Sequence, residues 1–235
     1  MGSLPMAKIT KSIKLARKTA SALIVDSLRE RVMNHEFSES EMIRQERLAK
    51  EYNVSLSPVR EALIQLEAEG LLTLVRHHGY AINTLSIDDI QQMYELRALI
   101  EVDLLRYAVP KLSEADIASA TQVHEAMTKI YKRGTQTTAW TKLNWDFHTT
   151  LYRPAEKRQL FAVVENVRQN IVRYVHMQMK LRSSANLDHT IKEHGKLLEY
   201  CARRETNKAA DLLHRHIIQA GDDLVGFLKQ HRLSK

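Results

Sequence analysis

A single cysteine, Cys201, is all the thiol this chain has. That excludes an internal disulfide framework and any cysteine-rich zinc module, and it suits a reducing, cytoplasmic setting. Glycine and proline are scarce, at 7 and 4 residues, which argues against a loop-rich all-β protein and in favour of helices. No apolar run approaches the roughly 18 residues needed to cross a bilayer. The opening segment, MGSLPMAKITKSIKLARK, has no apolar core of a secretory leader.

What is present is ordinary in amount and informative in arrangement. The chain has 235 residues, 44% hydrophobic and 27% charged, a balance that excludes disorder as the main state and a length that accommodates two domains. The formal net charge of +7 points to an anionic partner such as nucleic acid. It does not locate that partner. Residues 1–85 carry 12 basic and 10 acidic residues, and the remainder 23 and 18. Within 1–18, Lys8, Lys11, Lys14, Arg17 and Lys18 form an acid-free basic arm, suited either to phosphates at a duplex edge or to a solvated tail.

Apolar spacing predicts a helix over 19–34 through Leu23, Ile24, Leu28 and Val32, then a short second helix in RQERLAKEY, with Asn53 as a positive-φ residue in the connection that follows. A third helix takes Ser57 as its N-cap, Pro58 as its first residue and Gly70 just past its end, with Val59, Ala62, Leu63 and Leu66 facing inward. Two short apolar segments flanking Arg76-His77-His78-Gly79 read as a β-hairpin. Three helices and a hairpin, in that order, make a winged helix-turn-helix. Its third helix would enter the major groove N-terminus first. Ser55 and Ser57 stand at that entrance and Arg60 lies one turn in, able to reach a phosphate or pair with a guanine. Alternatively, Ser57 is only a cap, and Arg60 only a surface charge or a partner of Glu61 or Glu67. His78 and Gly79 sit at the wing tip, where a glycine lets the backbone approach the sugar–phosphate edge.

The stretch RLAKEYNVSLSPVREALIQLEAEGLLTLVRHHGYAIN resembles the winged-helix signature of GntR-type bacterial transcription regulators. The resemblance covers most of the first 85 residues. It implies binding to double-stranded operator DNA. Two departures stand out: Leu56 occupies a position often filled by a DNA-contacting arginine, and His35 replaces a glycine usual after the first helix.

From Ile87 onward the pattern is helical throughout, with helices predicted at 87–109, 113–132, 136–154, 157–182, 187–203 and 206–231. The division into domains falls at 84–86. This gives a basic arm (1–18), a winged helix-turn-helix (19–85) and an all-α bundle (86–235). Three histidines fall on the inward stripes of three different helices: His148 below Asn144 and Trp140, His194 with Ile191 and Cys201, and His216 among Leu212, Leu213 and Ile217. A lone inward histidine is usually a satisfied core residue. Three of them, with an amide oxygen one turn away, suit a divalent metal such as Zn, Ni, Mn or Fe if they converge. No inward carboxylate stands beside them as a general base. Arg97 lies at the edge of an inward stripe, either to clamp a carboxylate or to pair with Glu101 on the next turn. The methionine-rich run YVHMQMK at 174–180 reads as core filler.

MYELRALIE, LNWDFHTTLY, EHGKLLEY and AADLLHRHI resemble the helical ligand-sensing domain of the FadR subfamily, called FCD, over most of residues 87–228. The resemblance implies that Asn144, His148, His194 and His216 bind a divalent metal, that a small organic acid is the effector with Arg97 beside it, and that the protein is a homodimer. Many relatives have Asp where this chain has Asn144. The reading is a transcription regulator, not an enzyme, whose operator affinity answers to an acid at a metal site. The alternatives are a metal-dependent hydrolase and a regulator whose metal is only a structural staple.

Overall fold

A computed structural model describes residues 19–33, 36–38, 41–133, 137–181 and 185–232. The basic arm and His35 lie outside the described residues. Helix α1 (Ala20–Met33) begins where the Thr19 hydroxyl accepts from the Ala22 N–H at 3.2 Å. Helix α2 (Gln45–Glu51) leads through Asn53, at φ 53°, into α3 (Leu56–Ala68). The cap of α3 is Ser55, in extended conformation, not Ser57. Pro58 therefore stands third in the helix. Its missing N–H still costs nothing there, because the first turn has no intrahelical acceptors for its donors, so the proline fits either start.

The other end of α3 follows its sequence signal. Gly70 takes φ +75°, its N–H reaches the Glu67 carbonyl and the Leu71 N–H reaches Leu66, which is a Schellman closure only an achiral residue makes without strain. The chain then forms the hairpin of β1 (Leu72–Val75) and β2 (Gly79–Ile82), paired from Leu72↔Ile82 to Val75↔Gly79.

Gly79 has a reason for being glycine within the fold itself, besides the approach to DNA read from sequence. Tyr80 bridges to Ile43 through two backbone hydrogen bonds of 2.7 and 2.9 Å. A Cβ on Gly79, at φ +113°, would lie 2.7 Å from the Ile43 carbonyl oxygen. The close approach is to the chain's own backbone. Gly79→Ala is accordingly expected to cost on the order of 1–3 kcal/mol, read as a lower denaturant midpoint. An unchanged midpoint would show that the wing relaxes freely.

Helices α4 (Ile87–Ala108) and α5 (Glu114–Lys132) open on matching capping boxes, Ser86 with Asp89 and Ser113 with Asp116. Helices α6 (Thr137–Tyr152), α7 (Arg158–Leu181), α8 (Ala185–Ala202) and α9 (Thr206–Arg232) complete the bundle. Pro110 and Pro154 each fall in a short 3-10 turn, Val109–Lys111 and Arg153–Ala155. Helix α4 packs along α9 closely enough that a Cβ on Gly221 would lie 2.7 Å from the Tyr94 ring. Two separate cores result. Ile24, Leu28, Leu63, Leu66 and Ile82 belong to one; Leu85, Ile90, Phe147, Leu151 and Leu213 belong to the other. Among the described residues no helix is long and apolar enough to cross a membrane.

Candidate metal centre and nucleic-acid interface

His148 on α6, His194 on α8 and His216 on α9 are all buried, and one ring nitrogen from each lies within 4.8 Å of the others. The three inward stripes converge. His194 Nε2 and His216 Nε2 face each other at 3.2 Å, a separation that two lone pairs sustain only with a proton or a cation between them. Asn144, one turn before His148, has a buried Oδ1 that accepts no hydrogen bond among the described residues. A buried carbonyl oxygen without a donor is costly, and one helical turn from His148 it is an acceptor that a cation would satisfy.

The groups behind His148 and His216 fix which of their nitrogens are available. Tyr152 donates its hydroxyl proton to Glu101 Oε2 at 2.8 Å and lies 3.3 Å from His148 Nδ1. Its single proton is spent on the carboxylate, so His148 Nδ1–H donates to the Tyr152 oxygen and Nε2 keeps its lone pair. His216 Nδ1–H likewise donates to Glu193 Oε2 at 2.7 Å. Carboxylate partners of this kind orient metal-binding imidazoles. Burial, then the neighbouring histidines, holds His194 well below the ordinary imidazole range; burial, then His216 and Arg97, does the same for His148. Both are neutral near pH 7, the form that ligates a metal.

Glu193 and Glu101 are the carboxylates that sequence reasoning did not place beside the histidines. Glu193 precedes His194, and its role depends on the crossing of α8 and α9. Glu101 is fully buried and reaches His148 through Tyr152. Each is engaged in holding a histidine. Cys201 is buried, its thiol pushed up to about 12 by burial, so it offers no thiolate. His124 is satisfied by the Ile191 carbonyl at 3.0 Å, and His176 by Thr141 at 2.7 Å.

A cavity of about 440 Å³ opens beside the cluster, reached by Asn144, His148 and His216 and also by Tyr94, Arg97 and Arg168. Both readings of Arg97 hold in part. Its Nε donates to Glu101 Oε1 at 2.7 Å, yet the side chain lines the cavity and lies 5.0 Å over the Tyr94 ring. Burial acts to lower its pKa, but Glu101 and Tyr94 outweigh burial and raise it. Arg168, on α7, is a residue that sequence reasoning missed. Its spacing from Val164 and Ile171, both buried, is the available signal. Met177 and Met179 pack against the core, and Met179 also reaches the cavity wall.

Helix α7 also touches the winged half. Asn170 lies against Gly70, Arg173 donates to the Asn83 carbonyl, and the Tyr174 hydroxyl accepts from the Leu85 N–H at 2.7 Å. Cavity-lining positions Arg168, Ile171, Val172 and Val175 alternate with these contacts along the same helix.

At the other end of the molecule, Ser55, Ser57, Arg60 and His78 are exposed and Gly79 is half-buried. Arg60 makes no ion pair among the described residues; its Nε reaches Gln45 Oε1 at 3.5 Å. Ser57 donates to Glu61 at 3.4 Å. Leu56 is 43% exposed at the first position of α3. Exposed Arg44, absent from the sequence-derived set, lies beside Gly79, which joins the α2 entrance, α3 and the wing into one face.

Residues 92–219 match the family model described as FCD domain, and residues 20–82 that described as bacterial regulatory proteins, gntR family. An uncharacterized HTH-type transcriptional regulator of Bacillus subtilis, YdhC, is 24% identical over 84% of this chain and 92% of its own. The HTH-type transcriptional repressor GlaR of Escherichia coli is 24% identical over 81% of this chain and 89% of its own. Among solved structures, E. coli McbR/YncC superposes with a TM-score of 0.76 at 16% identity, covering 90% of this chain and 100% of that one, which is a likeness of fold.

Proposed function

Because the chain belongs to the GntR family of bacterial regulatory proteins and carries an FCD domain, and so is a DNA-binding transcription regulator rather than a hydrolase, we propose that its operator affinity is set by a small organic acid bound at a metal centre in the bundle. The observation that carries this reading is the convergence of three buried histidines, one of them a turn from an Asn144 oxygen that is buried and unpartnered among the described residues, beside a cavity that Arg97 also lines. Asn144, His148, His194 and His216 would hold a divalent ion, Zn, Ni or Mn. The ion would supply a Lewis-acidic position for a carboxylate oxygen. An amide and three imidazoles add no negative charge, so the ion's full charge is left to attract an anion. Arg97 takes the acid's remaining oxygens while Glu101 holds its Nε in place.

Helix α7 supports the coupling. A ligand that shifts Ile171 or Val175 shifts Asn170, Arg173 and Tyr174 with them, and through these the Gly70 turn and the 83–85 connection. We place the domain division at 84–86, where the two cores part. On the DNA side, Arg60 reads bases or phosphate, Ser55 and Ser57 meet the backbone at the α3 entrance, and His78 reaches from the wing. Arg44 adds a phosphate contact, and Gly79 shapes the wing. Leu56 offers an apolar contact, as to a thymine methyl. The protein acts as a homodimer in the cytoplasm on a palindromic operator with half-sites one helical turn apart, and GlaR's name supports repression as the mode.

The reading is tested with the full-length, zinc-loaded protein and an operator selected from random duplex DNA. Within a panel of short-chain carboxylates, at least one is expected to raise the melting temperature and change operator affinity roughly fivefold or more at fixed salt. Chelator-treated protein should lose both responses. If every acid leaves melting temperature and affinity unchanged, ligand control falls and the metal is a structural staple.

A further inference from the structure

Two donor side chains that line the cavity have no acceptor among the described residues. Trp140, on α6 one turn before Asn144, is buried to 7% exposure and its Nε1–H has no acceptor among them. Arg168, on α7, lines the same cavity and has no carboxylate or other hydrogen-bond partner among the described residues; its guanidinium lies 4.8 Å over the Trp145 ring. The remaining charges of the cavity are accounted for. Arg97 is paired with Glu101, Glu193 holds His216 and His189, and the Asp223 carboxylate accepts from Gln219. Burial, then the Arg97 charge, pushes Arg168 down to about 10. The environment therefore disfavours a cation there until an anion arrives.

Building on the metal-and-acid reading above, we propose that the acid recognised here is a dicarboxylate, with one carboxylate at the Asn144–histidine centre and the second received by Arg168 and Trp140 Nε1. A monocarboxylate would answer the metal and Arg97 but bring no anion to either of these donors. The second carboxylate satisfies them together, in the charge-assisted form that is the stronger kind of hydrogen bond. A cavity of about 440 Å³ has room for a chain of several carbons between the two groups. Arg168 also lines the cleft where α7 faces Arg29, Met33 and Leu71 of the winged half. Drawing it toward a ligand changes that cleft too.

Calorimetric titration of the full-length, zinc-loaded protein with chain-matched pairs (succinate and butyrate, glutarate and pentanoate, adipate and hexanoate) tests this. At least one dicarboxylate is expected to bind roughly tenfold or more tightly than its matched monocarboxylate. Arg168→Gln should erase that advantage with zinc content and monocarboxylate affinity unchanged, and Trp140→Phe should reduce it. Equal affinities within every pair, or an advantage that survives in Arg168→Gln, overturns the proposal. Monocarboxylate binding in that case leaves the acid-sensing reading standing, whereas binding by none of the acids overturns both.

Discussion

Replacing His148 and His194 together by alanine is expected to leave the protein with no bound metal. The two residues are half of the proposed four-donor set, and even the groups behind metal ligands typically contribute ten- to hundredfold to affinity. Two direct ligands are worth considerably more. No replacement stands ready: His124 and His176 are committed elsewhere, Cys201 keeps its proton, and Asp146 is tied to Lys142 at 2.6 Å on the outer side of α6. Elemental analysis of the purified variant, beside circular dichroism to show that the helices remain, makes the measurement. Stoichiometric metal in the folded double variant would remove these histidines from the site. A second sign is available in the same proteins. Metal that stabilises the fold by binding only the native state raises the melting temperature of the parent and leaves that of the variant unmoved.

The second large effect is on DNA. Arg60→Ala should leave stability within about 0.5 kcal/mol, because the side chain is exposed and holds nothing in the core. Specific operator affinity should fall by roughly 1–3 kcal/mol, about 5- to 150-fold, if the guanidinium pairs with a guanine. If it meets a phosphate instead, the loss is uniform across sequences and the slope of affinity against salt drops by about one. Binding measured at several salt concentrations, on operator and on random duplex, separates the two. Unchanged affinity on both DNAs takes Arg60 out of the interface.

Neither experiment could have been designed from composition. The +7 charge is spread over both halves and says nothing of where DNA binds. What was legible was punctuation and period. Gly70 closes α3 as its position announced, Asn53 takes the positive φ expected of it, and the helical phases of His148, His194 and His216 put all three inward. The start of α3 was misread by two residues because Ser55 and Ser57 are both good caps and proline is tolerated throughout a first turn. The wing was legible as a hairpin, but the close approach of Gly79 to the Ile43 carbonyl, made across 36 residues of chain, was not.

By itself, then, the sequence determined which elements form and which face of each is buried, since both follow from spacings of a few residues along one helix. It also determined the chemical kinds of donor offered to the bundle. Tertiary structure alone decided which donors meet. The approach of α6, α8 and α9 brings three imidazoles within 4.8 Å, leaves the Asn144 oxygen and the Trp140 N–H without partners among the described residues, and sets Glu193 behind His216 and Tyr152 behind His148. It also runs one helix, α7, past both the cavity and the winged half. Distances between helices depend on how whole surfaces pack, and no local period encodes them. The single cysteine excluded a disulfide framework and a cysteine-rich zinc module from the outset; only the packing brought the histidines together.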